Sequence, residues 1–367
     1  MSDLASQTAA DLLAGAPFGL SERDKTAVLL PAMDALTRRH YAASEVFRRV
    51  VDAAFGGLRP DPYRSLEELP FVPVSLFKEH ELRSVPKEQV FRVLTSSGTT
   101  GQQVSRVYLD SATASLQAKA LVRIMQHFLG KERLPMVVLD HEGVLTDRGS
   151  FSARGAGILG LMQFGRKPIY ALRPDMSLDV ERVDAYLAEH AGQPVLFFGF
   201  TFMAWQHAIS VLEHAGRRLL PNGGVLVHSG GWKKLESARV SAQAFAKGAR
   251  DSLGVARVLN FYGMVEQVGS VFFENALGSL HAPVFADVIV RDPFTLRPLP
   301  PGSRGLLQVL SVLPQSYPGH SLLTEDLGEC LGVDDPAAGM PGRFFRVSGR
   351  APRSEVRGCS DTYVERR

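Results

Sequence analysis

From Val90 onward the chain alternates short β-rich runs with stretches of helical period, and this alternation restricts the possible folds more than any other feature. The runs VFRVL, MVVLD, PIYAL, PVLFFG, GVLVHSG and RVLNFYG are apolar almost throughout. Strands buried on both faces have that texture. Between the runs, residues 112–129 and 178–190 have helical period. The pattern predicts an α/β domain with a substantial parallel sheet. After Leu277, FADVIVRDP and RGLLQVLSV, punctuated by LPPGSRG, predict hairpin-like β structure. Ahead of the alternation, residues 2–57 read as helical, with Ser21 and Asp24 placed as a capping box. Residues 58–86, rich in proline and short apolar pieces, suit a segment that wraps a core. The expected division is a helical lead-in and wrapping segment at 1–89, an α/β core at 90–276, a β-rich subdomain at 277–345 and a basic tail at 346–367.

Composition excludes more than it assigns. With 367 residues, 45% apolar and 22% charged, the chain can bury a sizeable core without disulfides. A net charge of +3 is too small for a protein whose main partner is a phosphate backbone, so nucleic acid is not expected. The longest apolar run, 194–205, is too short to cross a bilayer, and the N-terminus lacks a basic, apolar, cleavable pattern. A cytoplasmic protein with no membrane span is expected. Cys330 and Cys359 are the only cysteines and sit far from any CxxC spacing, so each is read as a single thiol. Charge is unevenly placed: residues 343–367 hold seven arginines against Glu355, Asp361 and Glu365. Cys359 lies in that patch.

Three motifs carry chemistry. Thr95, Ser96, Ser97, Gly98, Thr99, Thr100 and Gly101 form a hydroxyl and glycine loop between a strand-like run and a helical stretch. Such a loop lets backbone N–H groups and hydroxyls approach a phosphate. The same composition also suits an ordinary polar turn, and no lysine stands in the GK[ST] position of a Walker loop. Tyr262, Gly263 and Glu266 follow the strand-like stretch 255–261. A carboxylate there can hold Mg²⁺ against phosphate oxygens, and alone it equally suits a solvated surface acid. Asp326, in HSLLTEDLG, can accept hydrogen bonds from a ribose diol or cap a turn. Phe198, Gly199, Phe200 and Thr201, in an aromatic run before a helical stretch, suit an acyl pocket or plain core. Cys330, in LGECLG, reads as a core or edge residue.

In this order the motifs resemble the adenylate-forming superfamily of acyl and aryl CoA ligases, which make an acyl-AMP from a carboxylate and ATP. His228, Ser229, Gly230 and Gly231 resemble its adenine-side Gly-Gly loop, and Gly349 with Arg350 resembles its hinge. The closer resemblance is to the acyl-protein synthetases of bacterial bioluminescence, fatty acid to protein ligases that feed a fatty acid reductase. It is carried by LPFVPVSLFKEHEL, SSGTTGQ, SFSARGAGILG, GGWKK, FYGMVEQVGS, LLTEDLG and GRAPRSEVRGCSD. The resemblance implies the large N-terminal α/β domain of the superfamily, with parallel and mixed sheets and a small β-rich subdomain. It implies ATP, Mg²⁺ on Glu266, the 95–101 loop on the phosphates, Asp326 and Arg350 on the ribose, and a thioester on Cys359. Two departures from the superfamily stand out. The loop runs on as Gln102, Gln103, Val104, Ser105, Arg106 in place of the usual lysine, and only 17 residues follow Arg350, so the mobile C-terminal domain is reduced to a short tail.

Chemistry favours the thiol independently, because Arg350, Arg353 and Arg357 lie within nine positions of Cys359 and cations favour thiolate. The leading expectation is an enzyme that activates a carboxylic acid and hands the acyl group through Cys359 to a reductase or an acyl carrier protein. A second is an ATP-independent transacylase that moves an acyl group from a CoA thioester to a carrier protein through the same cysteine. A third is a non-catalytic partner subunit that binds an acyl group or nucleotide. Arg154, within small residues at 150–160, has no assigned role beyond a contact to phosphate or pantetheine.

Overall fold

The computed structural model describes residues 4–96, 104–146, 153–232 and 239–351. The chain divides into two compact units. One comprises Met1–Ser96, Gln103–Gly130 and Tyr262–Ser354; the other comprises Ser97–Gln102, Lys131–Phe261 and Glu355–Arg367.

The second unit holds most of the α/β alternation expected from the sequence; VFRVL and the helical stretch 112–129 fall in the first, where Arg92–Thr95 is an exposed strand paired antiparallel with Arg106–Leu109. Strands Leu134–His141, Leu196–Phe200 and Val225–Ser229 are buried along nearly their whole length, as apolar runs covered on both faces should be. All pairings are parallel, and the spatial order is Gly165–Leu172, Leu134–His141, Leu196–Phe200, Val225–Ser229, Arg257–Tyr262. Leu134–His141 is first in the chain but second in space. The strand order therefore reverses between Leu134–His141 and Leu196–Phe200, and the carboxyl ends of these two strands are where open α/β sheets of this order leave a crevice for ligands. Two of the intervening helices, Val180–Glu189 and Ala242–Ser252, start on side-chain caps: Asp179 accepts from the Arg182 N–H, and Ser241 from that of Ala244.

The first unit wraps helices around an antiparallel sheet. Ala286–Arg291, Arg304–Ser311, Ser321–Val333 and Arg343–Arg350 pair in chain order, and Arg343–Arg350 continues to Leu280–His281 and then Phe272–Glu274. Val72–Pro73, from the proline-rich stretch, adds in parallel to Ser321–Val333. The helices Leu4–Ala14, Glu22–Ala43 and Glu45–Phe55 form the lead-in. Ser21 caps the second of these as expected, accepting from the Asp24 N–H. Gly56 ends the third at φ +73, where a side chain would be strained.

What seats the lead-in is a buried ring of charge. Lys25 reaches Glu22 at 2.8 Å and Asp287 at 3.3 Å, while Arg343 reaches the same two carboxylates at 2.8 and 3.2 Å. Lys25 and Asp287 are each 1% exposed. Burial raises the Asp287 carboxyl to about 6 against the pull of Lys25. For Glu22 burial acts the same way, but Lys25 and Arg343 outweigh it and carry the carboxyl down to about 2. Two cations against two anions leave no net buried charge, and this balance is what removal of one member destroys. Lys25→Met should therefore lower stability by about 3 kcal/mol. In urea unfolding, Lys167→Met, which breaks an exposed pair with Glu189, should cost under about 1 kcal/mol.

Candidate functional site

In the first unit, register does what sequence spacing alone could not. Asp326 and Arg350 are direct neighbours on adjacent antiparallel strands, and Arg350 Nε lies 3.3 Å from Asp326 Oδ1. The Tyr262 hydroxyl donates to the other carboxylate oxygen at 2.7 Å. Surrounding protein and the Asp326 carboxylate push the Tyr262 hydroxyl well above its ordinary pKa, so it stays a donor. Thr324 supports the strand from below: its hydroxyl donates to the Leu307 carbonyl and accepts from the Asp326 N–H. Asp326 thus lies within a long strand, clasped on both oxygens, and is neither a turn nor a helix-cap residue.

Glu266 lies in the short turn Val265–Gln267, immediately beyond Tyr262 and Gly263, and is 7% exposed. Burial raises its carboxyl pKa, with Ser105, Lys78 and Arg350 opposing. The turn is held by its backbone and its neighbour. Tyr317 donates to the Glu266 carbonyl at 2.9 Å, Gln117 donates to Tyr317 at 3.1 Å, and Gln267 donates to the carbonyls of Val309 and Gly319. Gly319 is required, since a Cβ there would fall 2.2 Å from the Tyr317 ring and 2.8 Å from the Glu266 carbonyl. Ser105, which opposes that rise, is itself held at the root of the hydroxyl loop: its N–H donates to Ser96 Oγ, and Ser96 N–H donates back to its carbonyl. Thr95 ends the exposed strand Arg92–Thr95 and pairs with Arg106. Ser97, Gly98, Thr99, Thr100, Gly101 and Cys359 lie outside the described residues. No group of three or more metal-ligating side chains occurs among the described residues. Mg²⁺ asks for less, since one or two carboxylates plus substrate oxygens satisfy it, and a buried acid such as Glu266 is stabilised by an approaching cation.

In the second unit, Phe198, Gly199, Phe200 and Thr201 occupy the carboxyl end of Leu196–Phe200 and the start of the helix after it, at the crevice. Phe198 is fully buried and Phe200 is nearly so, with their ring centroids 5.9 Å apart. Gly199 faces the other way, where a Cβ would fall 2.8 Å from Leu139 Cβ. Gly230, at φ +86, ends the next strand, and Gly231 beside it is exposed. Thr201 Oγ1 donates to the Ser229 carbonyl at 3.2 Å and meets His228 Nδ1 at 2.9 Å. With its one hydrogen given to the carbonyl, the hydroxyl accepts from Nδ1–H, which assigns the tautomer.

Sequence reasoning missed Ser105, Gln117, Tyr317 and Asp140. Of these only Asp140 leaves a signal, a carboxylate closing the apolar run MVVLD. It pairs with Arg154, whose Nε is 3.1 Å from Asp140 Oδ2, both side chains being buried. Burial raises the Asp140 carboxyl, and Arg154 opposes the rise. Cys330 is packed inside, 3% exposed, as its apolar flanks suggest.

Burial carries the His228 pKa down to about 3. Between that value and about 6.5 the unfolded chain binds a proton that the native site refuses. Its contribution is complete above pH 6.5 and is lost by up to about 1.4 kcal/mol per unit as pH falls toward 3. His228→Gln, which keeps a donor for Thr201, should flatten the pH dependence of urea unfolding between pH 6 and 4 by up to that slope.

The acyl-protein synthetase family, LuxE, matches residues 2–366. Two relatives carry the name long-chain-fatty-acid--luciferin-component ligase, each 22% identical. That of Aliivibrio fischeri aligns over 82% of this chain and 79% of its own length, that of Vibrio harveyi over 88% and 83%. Among solved structures, 2-hydroxyisobutyryl-CoA ligase in the postadenylation state superposes with a TM-score of 0.66 at 19% identity, covering 91% of this chain and 69% of that one. Its open form with 2-HIB-AMP and CoA gives 0.65, over 89% and 69%. The fold is that of the adenylate-forming CoA ligases.

Proposed function

The chain belongs to the acyl-protein synthetase family, and on that footing we propose that it joins a carboxylic acid to AMP, takes the acyl group on Cys359 as a thioester and passes it to a partner protein. The observation that carries the reading is Asp326 clasped by Tyr262 and Arg350. Each carboxylate oxygen spends one lone pair on its protein donor and keeps another, so the two together suit the vicinal hydroxyls of a ribose. Glu266 supports the same reading, as a buried carboxylate whose pKa is held down in part by Ser105, a residue at the root of the hydroxyl loop. It would hold Mg²⁺, which supplies charge neutralisation at phosphate oxygens.

The acid's carboxylate oxygen attacks the α-phosphorus of ATP, pyrophosphate leaves, and acyl-AMP results. The Cys359 thiolate then attacks the acyl carbonyl and AMP leaves; a nucleophile of the acceptor protein finally displaces the cysteine. Dividing one hard transfer in this way is the general use of a nucleophilic thiol, and the arginines around Cys359 favour its thiolate. The loop sequence SSGTTGQQVSR, without a lysine, favours a second reading in which the acyl group arrives on CoA and ATP is dispensable.

Pyrophosphate exchange with a panel of acids separates the two readings: acid-dependent exchange supports adenylation, and its absence together with loading from acyl-CoA supports the transacylase. Glu266→Gln should reduce exchange roughly 100-fold, with the fold retained. Asp326→Asn should weaken ATP binding roughly tenfold, read by calorimetry. Whatever the donor, intact-mass analysis should find one hydroxylamine-labile acyl group on the wild type and on Cys330→Ser, and none on Cys359→Ser. Full transfer by Cys359→Ser would remove the thioester from the mechanism.

A further inference from the structure

Arg154 combines deep burial with donors that the described residues leave largely unused. It sits near the start of the helix Ala153–Met162 and is only 6% exposed. A guanidinium carries five N–H donors. Its Nε faces Asp140 Oδ2 at 3.1 Å yet has no hydrogen-bonding partner, and Nη1 meets only Met203 Sδ, at 3.8 Å. Among the described residues no oxygen accepts a hydrogen bond from this guanidinium. Buried polar groups left in that state call for a ligand or water.

Its position says which ligand. Asp140 closes the strand Leu134–His141, and Met203 lies in the helix that follows Leu196–Phe200. These are the two strands at whose carboxyl ends the order of the sheet reverses, which is where ligands enter open parallel sheets. One turn along from Arg154, Gly157 lets the helix press against Phe200, because a Cβ there would lie 2.9 Å from the ring. The charged head therefore meets the apolar Met203, and the helix that carries it packs on Phe200. Asp140 is itself fixed, Oδ1 accepting from the His141 N–H at 2.8 Å.

We propose that Arg154, positioned by Asp140, receives the free carboxylate of the acid before activation. The fork of a guanidinium matches the two oxygens of a carboxylate. With Asp140 already balancing its charge, the site suits a monoanion on a hydrocarbon stem better than a phosphate dianion. The inference deepens the acyl-activation reading and rests on it for the identity of the ligand as substrate. After adenylation the carboxylate charge is gone, so Arg154 governs capture of the acid and not loading from a preformed thioester.

Calorimetry on the full chain without ATP tests this, with octanoate against 1-octanol and benzoate against benzyl alcohol as probes. In the pair that fits the pocket, wild type should prefer the acid at least tenfold, the gain expected of charge-assisted hydrogen bonds. Arg154→Gln/Asp140→Asn, which orphans no charge, should bind acid and alcohol within twofold of each other while holding the alcohol as wild type does. Arg154→Lys, a point charge without the fork, should fall between. An equal affinity of wild type for acid and alcohol overturns the proposal, as does binding of neither pair at millimolar concentration or a preference that survives in the double variant. Loss of CoA affinity in the double variant with the acid preference intact assigns the anion as phosphate and also overturns it. Pyrophosphate exchange keeps the two readings apart. Exchange absent from wild type, with an Arg154-dependent acid preference, removes adenylation alone. Exchange present, with no effect of the variants on acid binding, removes Arg154 alone.

Discussion

Taking a carboxylate out of water costs several kcal/mol unless cations or hydrogen-bond donors replace the solvent. The described residues do this with different degrees of compensation, and function follows the degree. Glu22 and Asp287 are fully matched by Lys25 and Arg343, and the ring they form seats the helical lead-in on its sheet. Asp326 has a donor on each oxygen and lone pairs to spare. Asp140 has one arginine and one backbone N–H. Glu266 has the least, with burial raising its pKa against Ser105 and distant cations. The well-paired group is structural; those with spare capacity are the ones to which ligands are assigned.

The parallel sheet of the second unit sets where such capacity is useful. Its three central strands, Leu134–His141, Leu196–Phe200 and Val225–Ser229, are apolar and buried along most of their length, so polar chemistry on them is confined to their ends. Asp140, Thr201, His228 and Gly230 all stand at carboxyl ends, and the reversal of strand order at Leu134–His141 opens the crevice there. Neutral His228 is the consequence of that burial: the ring serves as a donor to Thr201 and does not carry charge. In the first unit the antiparallel register plays the equivalent part, bringing Arg350 opposite Asp326 across 24 positions of sequence.

Much of this was legible in the linear chain. Apolar runs alternating with helical period predicted the α/β unit because both-face burial leaves no polar positions in a strand, and the capping pair at Ser21 and Asp24 marked a helix start because the unsatisfied N–H groups there need an acceptor. The apolar flanks of Cys330 read as a core or edge position, and the thiol is 3% exposed. The order of the motifs identified the family. The sequence alone therefore determined the class of fold and singled out the hydroxyl loop, Glu266 and Asp326 as candidates, all of which depend on local composition and spacing.

Only the tertiary structure decided what those carboxylates face. Strand register joins Asp326 to Arg350 and Tyr262, and a turn packed by Tyr317, Gln117 and Gly319 buries Glu266 beside Ser105. None of these partners has a periodic signature, because each lies on a different element and meets the site through packing. Lys25 shows the same limit: its letters suit an exposed helix face, yet it is 1% exposed because Asp287 and Glu22 are there to receive it. Arg154 likewise stands in the sequence among small residues with no partner in sight, and the fold places Asp140 beside it. Solvation is the reason: whether a charge is surface or site depends on what replaces its water, and that is settled by residues far away in the chain.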